Sequence, residues 1–132
     1  MIFVDASAFV AIIAAEPDPA ELASKLRDGS TVITSAVAVW ETAAALCRSH
    51  RYTPQLASRT VDDLLEVLSI EYVGIGRTEA ELARLAYEKF GKGRHPAALN
   101  MGDCFAYACA KANNAKLLFK GDDFSQTDIA AA

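Results

Sequence analysis

The chain reads as an α/β domain, a central parallel sheet sandwiched between helices. Short β-branched or aromatic apolar runs alternate with helical patterns along its whole length, which is the signature of parallel strands joined by crossover helices. The 132 residues are 52% hydrophobic with a mean hydropathy of +0.16, enough for one well-buried core. No internal repeat, linker or low-complexity stretch divides them, so one domain spans 1–132.

The first strand is Ile2–Val4, a continuous apolar run of the kind a strand buried on both faces requires. Helices follow at Ala8–Ala15 and Ala20–Arg27, separated by the breaker Pro17-Asp18-Pro19 and closed by Asp28-Gly29. Thr31–Thr34 is the second strand and Ala36–His50 the third helix. Pro54 suits the first turn of a fourth helix, Pro54–Ser69. Leu56, Leu64, Leu65 and Leu68 on that helix exceed what one small core readily buries, which points to self-association. Glu71–Ile75 is the third strand, and Thr78-x-x-Glu81 reads as a capping box at the start of a helix over Glu79–Phe90. Asp103–Asn113 is the last helix and Lys116–Phe119 the last strand; Ala130–Ala132 reads as a frayed tail.

Composition excludes several classes. No apolar run approaches the ~20 residues needed to cross a membrane, and Met1–Asp5 lacks the basic start of a signal peptide, so a cytoplasmic location is expected. Cys47, Cys104 and Cys109 have no metal-ligand spacing and read as small core residues. The formal net charge of −4 argues against strong non-specific nucleic-acid binding. It leaves room for a nucleic-acid enzyme whose clustered acids hold a cation.

Those acids are the most informative residues. Asp5 ends the first strand, Asp103 opens the apolar stretch Cys104–Ala110, and Asp122-Asp123 follows Leu117-Leu118-Phe119. Glu41 falls within about 40° of Val37 on a helical stripe of Val37, Trp40, Ala44 and Cys47. Arg48 shares that stripe, but it lies roughly 10 Å further along the axis, too far for a direct pair. Asp5, with Ser7, is equally readable as a helix cap, and so is Asp103; Asp122-Asp123 after Gly121 is readable as a turn. What favours function is joint placement. Open parallel sheets bind ligands beyond the carboxyl ends of their strands, where one crevice can collect all these acids. Carboxylates gathered in one place repel, and a divalent cation is the usual resolution.

These residues together resemble the PIN domain, specifically the VapC toxins of type II toxin–antitoxin pairs, over essentially the whole chain. Phe3-Val4-Asp5-Ala6-Ser7-Ala8 is similar to the family's first motif and Trp40-Glu41 to its second. Met101-Gly102-Asp103-Cys104-Phe105-Ala106-Tyr107-Ala108 is similar to the third, and Leu117–Phe124 to the fourth. In the fourth, the position three before the Phe is Gly121, so Asp122 or Asp123 inherits the acid; Asp122 is favoured. The resemblance implies a PIN-like α/β/α sandwich and a Mg²⁺- or Mn²⁺-dependent endoribonuclease acting on RNA, in several members tRNA or rRNA. It also implies a homodimer and a VapB antitoxin that occludes the site. Asp5 and Asp103 are then the principal metal ligands, with Glu41 and Asp122 completing the set and Ser7 and Asp123 in support. Lys92 and Arg94, in a loop that Gly91 and Gly93 would leave mobile, are candidates to steer RNA, as is Lys120. His50 and His95 read as surface residues.

Two alternatives stand beside this reading. One is an inactive PIN-like module that binds RNA or protein. The other is a haloacid-dehalogenase-like phosphatase, against which Ser7 argues by occupying the position of that family's second Asp.

Overall fold

The structure, a computed structural model, describes residues 1–16 and 19–132. Its elements run β1 (Ile2–Val4), α1 (Ala6–Ile13), α2 (Pro19–Lys25), β2 (Val32–Ser35), α3 (Ala36–His50), α4 (Pro54–Val67), β3 (Glu71–Val73), α5 (Arg77–Phe90), α6 (Met101–Ala112) and β4 (Lys116–Leu118). A 3-10 turn at Phe124–Gln126 follows. The four strands form one parallel sheet in the order β3-β2-β1-β4, the expected α/β/α sandwich. Element ends differ from the sequence reading by at most two residues, and β1 and α3 match it at both ends. Pro17 and Asp18 of the expected breaker lie outside the described residues.

Both faces of the sheet are covered, and the strands alternate between them. Phe3, Ile33 and Leu117 meet α5 and α6 through Ala83, Ala86, Tyr107 and Cys109 on one side. Ile2, Val4, Val32 and Leu118 meet α1, α3 and α4 through Phe9, Leu46, Val61 and Leu65 on the other. Register follows from that alternation, with Phe3 opposite Ile33 and Leu117. A slip of one residue would turn every one of these side chains to the wrong layer. Cys104 and Cys109 are buried and Cys47 half-buried; all three are free thiols, as read.

Several expectations are corrected. The face α3 turns to the core is Ala38, Thr42 and Leu46, and Trp40 is 70% exposed. Thr42 tolerates burial because its hydroxyl donates to the Ala38 carbonyl at 2.8 Å. On α4, Leu65 is buried and Leu64 and Leu68 pack against the core, so of the four leucines Leu56 alone is exposed, and Val67, not among them, is exposed as well. No capping box forms at Thr78: α5 starts earlier, with Gly76 as its cap, and Glu81 instead accepts from the Arg77 guanidinium at 3.0 Å.

The 91–99 loop is pinned. Lys92 N–H donates to the Leu99 carbonyl, Leu99 N–H donates to Phe90, and Leu99 is fully buried. His95 is half-buried, its Nδ1 accepting from Ala97 N–H and its ring edge-on to Phe90, while His50 is exposed. The last residues do not fray either. Leu117 N–H donates to Ala130 and Ala132 N–H to Leu117, so the tail runs beside β4.

Candidate active site

Beyond the carboxyl end of β1 lies a pocket of about 410 Å³, lined by Asp5, Ser7, Val10, Glu16, Glu41, Arg48, Asp103 and Lys120 among others. A hollow of about 600 Å³ beside Val73–Gly76 is larger, but Glu79 is the one acid along it. The acid-lined pocket is where chemistry can occur.

Each acid is placed by its own device. Asp5 is the N-cap of α1, 4% exposed, and its Oδ2 accepts from the Ser7 amide at 3.0 Å and the Ser7 hydroxyl at 2.6 Å. Capping and site membership therefore coincide in this residue. Asp103 sits in a reciprocal capping box that the sequence reading missed. Asn100 Oδ1 accepts from Asp103 N–H at 2.9 Å, and Asp103 Oδ2 accepts from Asn100 N–H at 3.1 Å. Glu41 comes in from α3, and its carboxylate lies directly against Gly102, so that a Cβ at 102 would collide with it. Glycine leaves the carboxylate that space, and any larger residue at 102 would make the end of the Glu41 side chain move.

The electrostatics record the crowding. Burial raises the Asp5 carboxyl above its ordinary range, with the Ser7 hydrogen bonds opposing and Asp123 adding to the rise. Burial, then the charges of Asp5 and Asp103, push Glu41 up to about 7, with Arg48 opposing. Asp103 rises to about 6, by burial first and by Asp5 and Asp123, against the Asn100 amide. Among the described residues no ion pair reaches Asp5, Glu41 or Asp103.

Asp123, rather than Asp122, is the member of its pair whose charge acts on Asp5 and Asp103. The chain turns at Gly121, where φ is +101°, and the Asp122 carbonyl accepts from the Ser125 hydroxyl. The sequence reading favoured Asp122, and neither residue of the pair lines the pocket. Lys120 and Arg48 both line the pocket. Lys92 and Arg94 are exposed on their loop and do not line the pocket; the Arg94 guanidinium lies 5.2 Å over the Tyr87 ring. Glu16, which no motif marked, is also on the pocket wall.

The donor set is all oxygen, which suits a hard divalent cation. Three carboxylates with raised proton affinity are what a cation would relieve. Among the described residues no three His, Cys, Asp or Glu side chains are already closed around one point. Carboxylates on the walls of a wider pocket fit an ion that keeps several of its waters.

A four-stranded parallel sandwich with acids converging at the carboxyl end of β1 defines the class. The PIN domain profile matches residues 2–130, and the chain belongs to the PIN domain family. Within it, the chain is similar to Ribonuclease VapC of Mycolicibacterium smegmatis, 42% identical over 128 residues and 97% of each chain. Two solved structures share the fold. VapBC2 from Rickettsia felis, bound to a promoter DNA fragment, superposes with a TM-score of 0.71 at 17% identity, covering 100% of this chain and 98% of that one. VapC20 of Mycobacterium tuberculosis, a Sarcin-Ricin loop cleaving toxin, gives 0.65 at 21% identity with the same coverage.

Proposed function

We propose that this protein is a divalent-metal-dependent endoribonuclease, the toxin of a type II toxin–antitoxin pair. One observation carries the reading: Asp5, Glu41 and Asp103, distant in sequence, share one pocket in a chain 42% identical to a VapC ribonuclease. Asp5 and Asp103 are the principal ligands for Mg²⁺ or Mn²⁺. Each has one carboxylate oxygen engaged by the protein, Asp5 by Ser7 and Asp103 by Asn100, which fixes how the other is presented. When bound, the cation neutralises phosphoryl charge and makes water more acidic.

The chain's own groups supply the rest. Glu41, whose proton affinity lies near neutrality without metal, is suited to orient the attacking water and accept its proton. Asp123, in preference to Asp122, completes the acid set. Lys120 and Arg48 face the same pocket with positive charge for the RNA backbone. Lys92 and Arg94, exposed on the 91–99 loop, are further candidates to meet RNA. A VapB-type antitoxin is the partner, and a homodimer is the expected assembly, with Leu56 and Val67 its most exposed apolar candidates on α4.

The test is cleavage of RNA by purified protein with Mg²⁺, with Mn²⁺ and with EDTA. Cleavage that EDTA abolishes and either ion restores supports the reading. Folded protein that binds RNA without cutting it would favour the binding-module alternative, and hydrolysis of small phosphate esters alone would favour the phosphatase.

A further inference from the structure

We propose that Glu16 is a positioning residue of this site: it holds the Lys120 ammonium on the pocket wall as a seat for a phosphate of the RNA backbone. The inference rests on the ribonuclease reading above and extends it to a residue outside the acid set. Lys120 Nζ lies 3.3 Å from Glu16 Oε2, and the two side chains are 35% and 33% exposed, each lining the pocket. Glu16 stands just beyond α1, its amide donating to the Ala11 carbonyl at 3.0 Å, and Lys120 follows β4. Their link joins two elements that flank β1.

Lys120 is tied to the acids a second time. Its backbone N–H donates to the Ser7 hydroxyl at 3.0 Å, and that hydroxyl donates to Asp5 at 2.6 Å. One hydroxyl therefore sets both the Asp5 carboxylate and the residue that carries the ammonium. The other Glu16 oxygen lies 3.9 Å from His50 Nε2, at the end of α3, beyond hydrogen-bond distance.

The charge balance explains why such a pair belongs here. A further carboxylate beside Asp5, Glu41 and Asp103 would repel an RNA phosphate if it stood alone. Paired with a lysine, it instead fixes a cation at the wall. Lysine has a long, flexible stem, and holding its ammonium in place before RNA arrives removes part of the ordering cost of binding. An ammonium has three N–H donors, so the contact with Glu16 does not by itself exclude a phosphate oxygen. The phosphate so held is one flanking the scissile bond, because the ammonium shares the pocket with the acids.

The experiment compares wild type, Lys120→Met, Glu16→Ala, Glu16→Gln and the Glu16→Ala/Lys120→Met double variant on one labelled single-stranded RNA, with thermal unfolding as a control for folding. Lys120→Met is expected to raise KM about 10-fold with a smaller change in kcat. It should also lower the salt dependence of RNA affinity, measured in an Asp5→Asn background, by about one charge. Glu16→Ala raises KM about 5-fold, Glu16→Gln recovers part of that, and Glu16→Ala adds nothing once Lys120 is gone. An undiminished effect of Glu16→Ala in the Lys120→Met background overturns the proposal. So does an unchanged or lowered KM in Glu16→Ala alone. Both outcomes are read only against a wild type that cuts RNA; a wild type that does not cut removes the ribonuclease reading itself.

Discussion

Helices α3 and α6 each send one carboxylate into the same pocket, yet they hold it in opposite ways. Helix α6 is buried along most of its length, from Gly102 and Cys104 through Ala106–Ala110, and it lies between the sheet and α5. Its Asp103 is fixed by a reciprocal pair with Asn100, the Asn100 amide donating to the Asp103 carboxylate and the Asp103 amide to the Asn100 side chain. Helix α3 buries only Ala38, Thr42 and Leu46, and its Glu41 is located by contact with Gly102. The more buried helix thus presents its acid through a hydrogen bond, and also supplies the surface against which the acid of the less buried one packs. A long side chain steered by contact can adjust to a substrate; a short one locked in a cap cannot.

The harshest way to break this pair is to remove charge from the fixed side. Asp103→Asn, and likewise Asp5→Asn, should cost more than the roughly 10–100-fold typical of residues that only support a ligand. Asn retains an acceptor oxygen for the cap, so folding should survive, and metal-free stability should rise as like charges are relieved. RNA cleavage, Mn²⁺ titration and thermal unfolding measure all three. Wild-type cleavage by Asp5→Asn would reduce that residue to a helix cap.

Gly102→Ala attacks the contact alone. The new methyl takes the space of the Glu41 carboxylate, so cleavage should fall on the order of 10-fold or more. The helix itself should hold or gain about 0.5–1 kcal/mol, because Ala suits a helix better than Gly. A stable protein with poor activity is the expected signature, and full activity would show that Glu41 needs no such guide. Asn100→Ala sharpens the comparison from the other side. Loss of the cap should cost about 0.5–2 kcal/mol in denaturant unfolding, and cleavage should fall several-fold as Asp103 loosens.

Proton binding offers a graded test. Glu41 and Asp103 hold protons more tightly when folded, at about 7 and 6, than the 4.5 and 3.8 of exposed carboxyls. Where the native state binds more protons than the unfolded state, stability falls as pH rises. In EDTA, thermal stability should therefore decline from about pH 4 to 7, and Glu41→Gln should flatten the upper part of that slope. Saturating Mg²⁺ should suppress the decline. The smallest effect expected is at the exposed pair: Asp123→Asn should slow cleavage a few-fold more than Asp122→Asn, since the Asp123 charge raises the proton affinity of both Asp5 and Asp103.

The sheet and α6 were legible because burial on both faces leaves continuous apolar runs, which composition alone reveals. Asp5 and Asp103 were legible because each interrupts such a run. Helix α3 was harder. Its wheel offers two apolar stripes, and only packing decides that small Ala38 and Thr42 face inward while Trp40 faces out. Glu16 was invisible for another reason: its partner Lys120 is remote in sequence, and no local pattern announces a pair made by the fold. Likewise Thr78-x-x-Glu81 satisfies a motif that Asn100-x-x-Asp103 actually uses, because a capping box needs an extended residue at its first position.

The segment that runs beside β4 has a consequence for how copies of this chain meet. A strand whose outer amides and carbonyls are bare invites another chain to pair with it. Here Ala130 and Ala132 occupy Leu117, and Lys25 Nζ fastens the Ala132 carbonyl at 3.0 Å, so that flank of the sheet is already spoken for. The opposite flank is β3, only three residues long and carrying the exposed Glu71. Docking by strand addition is thereby discouraged on both sides, and association is left to helix surfaces. Deleting residues 130–132 would bare Leu117 along that flank, and the expected outcome is earlier turbidity on heating.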